Sequence, residues 1–372
     1  MDSGKRRLVA ISLVAILVVA LVAVVFTSGL LQTGTAADVT DAAGREVVLE
    51  GTPERIVSCS PGITEMVYAL GLGDNVVAVT DYCDHPAEAA ALRDAKKTVG
   101  GFWQPNFEVI LSHDPDLVLV DHGTEAHQQL ANKLIDANVT VLQMFDQVDI
   151  ASVYANLGLL GNVTGTSENA TVLMDDIKAS VERVQAAVEG LDRPDVMYVS
   201  YVESGFTSAY VSGSGTAVDE LISLAGGNNI FADVQSGWFT PSNELMEINV
   251  KNIDCMVITS MFSDTAAEEL NTFFANDPLW NQSPAVKNNK IFYLQGQGEN
   301  IFNRQSVRTG SAVQLMAEMF HPDAFDTKLP YDPTGETINV IGNDYADYLP
   351  TVNGAAALTN GAYHGPLAMV RD

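Results

Sequence analysis

One octapeptide plan occurs twice: Gly101-Phe102-Trp103-Gln104-Pro105-Asn106-Phe107-Glu108 and Gly237-Trp238-Phe239-Thr240-Pro241-Ser242-Asn243-Glu244. Both read Gly, aromatic, aromatic, polar, Pro, polar, any residue, Glu. The second copy begins 136 residues after the first. Each leads into a short helix-like stretch and then an Asp-led strand, at Asp116 and at Asp254. A looser pair precedes them: residues 64–71 (TEMVYALG) resemble residues 219–226 (DELISLAG). An internal repeat that keeps its elements in order means two lobes built on one plan.

What separates the copies is a helix. From Ser167 to Leu191 there is no Pro, and the one Gly, Gly190, sits at the end. Val172, Leu173, Ile177, Val181, Val184, Val188 and Leu191 recur at steps of mostly three or four, with Thr166 and Ser167 as N-cap candidates. This predicts one amphipathic helix of about 24 residues, roughly 36 Å long. A continuous helix is a stiff connector, so large domain closure is not expected.

Outside the helix, strand and helix signals alternate. Strand candidates are residues 55–60, 76–80, 116–121, 139–144, 196–202, 209–211, 255–259 and 290–294. They are short and rich in Val and Ile, as strands covered on both faces are. The expected fold is α/β: two Rossmann-like lobes with mostly parallel sheets, joined by the rigid helix, with a ligand cleft between them. The boundaries read as 38–165 for the first lobe, 166–192 for the linking helix and 193–325 for the second lobe. Residues 326–372 hold Pro330, Pro333, Pro350 and Pro366 and read as a C-terminal extension of unassigned role.

Residues 1–37 set the expected compartment. Lys5, Arg6 and Arg7 precede a run from Leu8 to Phe26 that is apolar except for Ser12. Nineteen such residues just span a bilayer core of roughly 30 Å, with the basic end inside. The length favours a transmembrane anchor over a signal cleaved after Thr35-Ala36-Ala37. The rest of the chain is then extracytoplasmic, on the cell surface or the periplasmic face. No cysteine lies near the junction, which argues against a lipid anchor there. Cys59, Cys83 and Cys255 form no CxxC, and the spacing permits a bridge between Cys59 and Cys83. Nineteen Lys+Arg against 47 Asp+Glu give a net charge of −28. That field repels phosphate backbones, so nucleic acid is not an expected partner.

The repeat also suggests chemistry. A pair of aromatics just before a helix sits near a strand's carboxyl end, where open α/β sheets bind ligands. Aromatics from two lobes then face a common cleft and suit a large, flat, partly apolar ligand. The competing reading is that Trp103 and Trp238 seal their own lobes. Glu108 and Glu244 each fall at a helix start, where the dipole favours an acid. Two acids at equivalent places also match two basic sites on a two-fold symmetric partner.

These residues resemble the helical-backbone class (class III) of ABC-importer solute-binding proteins, which includes vitamin B12, ferric-siderophore and haem binders. The resemblance spans about Val39 to Phe325. Its markers are residues 55–65 (RIVSCSPGITE), 114–120 (DPDLVLV) and 226–231 (GGNNIF). It implies that Glu108 and Glu244 dock onto the permease dimer, with Glu247 as runner-up in the second lobe. It implies ligand-facing roles for Tyr82, Phe102, Trp103, Phe206 and Trp238. The loop from Gly298 to Arg304, with Phe302 and Arg304, takes the place of the last ligand loop but differs in residues. The implied cargo is a metal chelate, a corrinoid (cobalamin) or a ferric siderophore, delivered to a permease driven by a cytoplasmic ATPase.

No intrinsic cofactor, catalytic residue or bound metal is expected. The chain has no G-x-S-x-G, G-x-x-x-x-G-K or H-E-x-x-H. His85, His113, His122, His127, His321 and His364 are scattered and read as surface or cap residues. A surface enzyme, an adhesin, a haem receptor and a direct zinc or manganese receptor remain as rival functions. The last would leave the aromatics without a task.

Overall fold

A computed structural model describes residues 37–203, 206, 208–260, 266–326, 329–330 and 338–349. The apolar run Leu8–Phe26 lies outside them. Among the described residues no helix is long and apolar enough to cross a membrane.

The first lobe opens with a hairpin of β1 (Ala37–Thr40) and β2 (Glu46–Leu49). There follow β3 (Ile56–Ser58), α1 (Pro61–Ala69), β4 (Val76–Ala78), α2 (Ala87–Asp94), β5 (Gly100–Gly101), β6 (Gln104–Pro105), α3 (Phe107–Ser112), β7 (Leu117–Asp121), α4 (Glu125–Asp136), β8 (Val141–Met144) and α5 (Ile150–Thr164). The main sheet has the order β4-β3-β7-β8 and is parallel throughout. Both faces are covered, which is why its strands read as unbroken apolar runs. Leu117 and Leu119 enter the core under α1, α5 and the next helix, while Val118 and Val120 enter the core under α3 and α4.

The connector α6 spans Ser167–Val188. Its buried stripe is Ala170, Leu173, Ile177, Val181, Val184 and Val188. The first three belong to the first lobe's core and the last three to the second lobe's. The helix is therefore a structural member of both.

The second lobe comprises β9 (Asp195–Val202), β10 (Ala209–Ser212), α7 (Ala217–Leu224), β11 (Asn228–Asn229), β12 (Trp238–Phe239), α8 (Asn243–Asn249), β13 (Cys255–Thr259), α9 (Ala267–Asn276), α10 (Pro284–Lys287), β14 (Ile291–Leu294), α11 (Gln297–Asn303), α12 (Thr309–Phe320), β15 (Asn339–Ile341) and α13 (Tyr345–Tyr348). The sheet order is β12-β10-β9-β13-β14-β15, with β11 beside the start of β9. From β9 to β15 the strands are parallel, whereas β10 and β12 are antiparallel additions. Strand β15 lies in the segment for which the sequence suggests no role. It is built into the sheet as an edge strand.

The repeat appears in backbone detail. Asp116 accepts from the amides of Glu54 and Arg55 just before β3, and Asp254 accepts from the amide of Asp195 opening β9. Each Asp-led strand thus fixes the start of its neighbour. Cys59, Cys83 and Cys255 are free and buried, so Cys59 and Cys83 do not pair.

Candidate functional site

Trp103 sits at the tip of the tight β5–β6 hairpin and is 61% exposed, too much for a packing residue of its size. The hairpin is fastened from behind. His127 of α4 is fully buried; its Nδ1 accepts the Asp121 amide at 2.9 Å and its Nε2–H donates to the Phe102 carbonyl at 2.6 Å. Both nitrogens are thereby committed, and burial pushes the imidazole pKa down, which keeps the ring neutral. The Phe102 ring stacks obliquely on His127 at 4.8 Å and meets Trp103 edge-on at 4.9 Å. His127 is thus no surface or cap residue, contrary to the sequence reading. His321, hydrogen-bonded to the Gly226 carbonyl, is buried too.

Tyr82 is 48% exposed and lies beside the same hairpin; a Cβ on Gly101 would come within 3.2 Å of its ring. Tyr82, Phe102 and Trp103 therefore form one aromatic lip on the first lobe. Across from it, Arg304 at the end of α11 donates to the Tyr82 carbonyl at 3.0 Å and pairs with Asp84. Its side chain is mostly buried, so it acts first as a tie between the lobes.

Trp238 is half-buried in β12. It stacks on Tyr210 at 6.0 Å and meets Tyr198 at 6.1 Å. The two other aromatics expected on the cleft are core residues. Phe206 packs among Phe273, Phe274 and Trp280, and its remaining surface faces a hollow of about 260 Å³ beside Met246 and Glu247. Phe302 is 1% exposed, on the inner side of α11 against Tyr198. For both, the sequence indicates an aromatic ring but not which way it turns.

Glu108 and Glu244 are both exposed, each at the second position of its helix, behind Asn106 and Ser242 that cap α3 and α8. The two acids are thus presented identically. Glu247 is exposed as well, one turn further along α8.

Beneath the aromatic lip lies a network that the sequence reading gave no role. Arg308 is fully buried and grips Glu65 of α1 with Nε and Nη2, while Ser306 donates to the same carboxylate. Burial alone would lower the Arg308 pKa, but the Glu65 carboxylate raises it above the ordinary arginine range. Burial would raise Asp84, and Arg304 outweighs it and holds the carboxyl below its usual range. Asn300 donates to Asp84 at 3.0 Å. In the other direction, Glu220 of α7 accepts from the Ile150 amide at 2.7 Å and supports the start of α5. Glu65 and Glu220 occupy matching places in the looser repeat. That match is the one sequence signal that could have revealed them.

A polar hollow of about 810 Å³ lies on the flank of the second lobe where it meets Val148 and Asp149 of the first, lined also by Asp195, Thr216, Asp219 and Asn229. Its groups are largely satisfied: Asp219 accepts from Gly215 and Asn229, and Arg193 beside it donates to the Ser223 carbonyl. Among the described residues no cluster of His, Cys, Asp and Glu is arranged to hold a metal ion.

Two α/β lobes on a shared helix, with aromatic and acidic groups repeated in each, define a two-lobed binding protein. The chain belongs to the periplasmic binding protein family, whose sequence profile matches residues 56–297. It is 28% identical over 289 residues to an uncharacterised ABC transporter substrate-binding lipoprotein of Bacillus subtilis, covering 77% of this chain and 86% of that one. It is 26% identical over 286 residues to a cobalamin-binding protein of Halobacterium salinarum, covering 76% and 73%. A periplasmic heme-binding protein from Roseiflexus shares the fold with a TM-score of 0.61 at 23% identity, covering 74% of this chain and all of that one. A protein of an Fe3+-hydroxamate transport system from Saccharomonospora viridis has a TM-score of 0.58 at 21% identity, covering 78% and 99%.

Proposed function

We propose that this chain is the extracytoplasmic receptor of an ABC importer, that it carries out no catalysis, and that it hands a metal-chelate nutrient to a permease dimer with its cytoplasmic ATPase. Residues 38–165 and 193–325, the latter completed by the edge strand and helix of 338–349, are the ligand-holding lobes, 166–192 is their rigid spacer, and residues 8–26 hold the receptor at the membrane. The observation that carries the reading is the lip of Tyr82 and Trp103, held in water by a buried histidine. Exposed rings held in place are suited to a large, partly apolar surface, because little side-chain entropy is left to lose on binding. Trp238 lines the opposite wall. The relatives that bind cobalamin, heme or ferric hydroxamate support a corrinoid or a ferric siderophore as cargo. The polar flank hollow offers no such rings, so the cargo is assigned to the lip.

Tryptophan fluorescence of residues 38–372 titrated with cyanocobalamin, ferrioxamine B and haemin tests this. One class of ligand should quench saturably at sub-micromolar concentration, and the quench should fall sharply in Trp103→Phe. No quenching by any of the three would refute the chelate assignment. Glu108→Ala and Glu244→Ala should leave that affinity unchanged and lower uptake in cells. Loss of ligand binding in either would remove its docking role.

A further inference from the structure

We infer that the C-terminal segment 338–349 is a strap that positions the cross-lobe side of the ligand cleft. The family profile stops at residue 297, and the Roseiflexus and Saccharomonospora structures are covered over 99–100% of their length by 74–78% of this chain. The strap lies beyond that profile, and its contacts run toward the cleft.

Strand β15 pairs in parallel with β14, with Leu294 beside Ile341, and the Gln295 amide donates to the Ile341 carbonyl at 2.9 Å. The chain then turns beneath α11. The Asn343 Oδ1 accepts the Gln297 amide at 2.9 Å, which fixes the first residue of that helix. The approach is close enough to require glycine on the other side. A Cβ on Gly298 would lie 2.8 Å from the Gly342 carbonyl oxygen, and one on Gly296 would lie 2.4 Å from Asn343 Oδ1. Gly296 also adopts φ +56. One turn further on, Tyr345 is 2% exposed and presents its hydroxyl to Arg308 Nη1 at 3.4 Å. The same Nη1 donates to Gln297 Oε1 at 2.9 Å.

Among the described residues, the second lobe's hydrogen bonds and ion pairs to Glu65 and Asp84 come from residues 297–308. Asn300 and Arg304 reach Asp84, while Ser306 and Arg308 reach Glu65. The strap holds both ends of that stretch, at Gln297 and at Arg308. Its hydrogen bonds go to Gln295, Gln297, Arg308 and the Asn289 and Ile291 carbonyls, all in the second lobe. Asn343 and Tyr345 are therefore positioning residues for Arg304, Arg308 and the Tyr82 backbone that Arg304 holds. The inference rests on the receptor reading only in its consequence for the ligand.

Three variants of the full chain test it: Asn343→Ala, Tyr345→Phe and, as control, Tyr348→Phe. The last loses a hydroxyl that donates to Asp344 within the strap's own helix turn. Hydrogen–deuterium exchange is followed at residues 297–304, and affinity is measured for whichever of cyanocobalamin, ferrioxamine B or haemin the wild type binds. The first two variants should speed exchange in 297–304 several-fold and weaken the ligand about fivefold each, the scale of one net hydrogen bond. The control should move neither. Unchanged exchange in 297–304, or equal acceleration over the whole lobe in all three variants, overturns the strap. So does faster exchange with unaltered affinity. If the wild type binds none of the probes, the receptor reading fails, and the exchange pattern alone decides the strap.

Discussion

The two lobes carry the same octapeptide and use it differently. In the first, the hairpin closes on itself, β5 against β6, and hangs from the end of β4 through the Val99 amide to the Val79 carbonyl and the Asp81 amide to the Gly100 carbonyl, with His127 as a further fastening. In the second, the equivalent residues are drawn into the sheet, where β12 pairs with β10 and Gly237 exchanges hydrogen bonds with Gly213 and Ser214. Trp103 consequently stands in water, whereas Trp238 is wedged between two tyrosines. The extra antiparallel edge of the second sheet makes the difference. A motif supplies rings, and the neighbouring sheet edge decides how much of each ring is left for a ligand. The cross-lobe glutamates diverge likewise: Glu65 faces a buried arginine and Glu220 a backbone amide.

The largest effect should come from the glutamate contrast. Arg308→Ala leaves the Glu65 carboxylate buried without its counter-charge and should cost about 3–5 kcal/mol of stability. Chemical denaturation measures it, and the double change Glu65→Leu with Arg308→Met should recover most of the loss. A cost below 1 kcal/mol for the single change would mean that water reaches the pair. Next comes the tryptophan contrast. Trp238→Ala should destabilise by about 2–3 kcal/mol, as removal of a half-buried ring does, and Trp103→Ala by under about 0.5. Equal costs would erase the distinction between a sheet-bound copy and a free one.

A third test belongs to the first lobe, at the mouth of β7. Burial, and then the nearby Asp146, push the Asp121 pKa up to about 6. A carboxyl with a raised folded pKa holds its proton longer in the folded chain. Its stabilising contribution is complete below the ordinary carboxylate range and is lost as pH rises through about 6. Asp121→Asn keeps an acceptor for the Gly123 amide without the charge. It should match wild type at pH 4 and exceed it by about 1–3 kcal/mol at pH 7.5. Parallel stability curves from pH 4 to 8 would contradict this. A more modest effect should come from Glu220→Ala, about 1 kcal/mol for one unmet amide at Ile150, read from the same denaturation curves. A loss as large as that of Arg308→Ala would mean that the two ties are equivalent after all.

Much of the architecture was legible because sheets covered on both faces write themselves as Val and Ile runs. Each of the eight strand candidates coincides with a strand, and the helix expected over 167–191 runs to Val188 before Gly190 turns with φ +79. The hairpin β1–β2 and strand β15 escaped notice, since four or three residues between turns carry too little pattern to register. At the site, equivalence was legible and orientation was not. Glu108 and Glu244 could be paired from letters alone, and both start helices. Phe206 and Phe302 could not be distinguished from cleft residues, because burial depends on which side of a backbone faces the core. Arg308 and Glu65 stand 243 residues apart and belong to no common motif, so their pairing exists only in the fold.

The helix α6 carries a further consequence. Its apolar stripe passes from one core to the other between Ile177 and Val181, less than two turns in which neither lobe can do without it. A chain cut there would leave each half with an unclosed core. Heating should therefore melt both lobes in a single calorimetric peak, and functional chimaeras with relatives should need their crossover outside this helix, never at its middle.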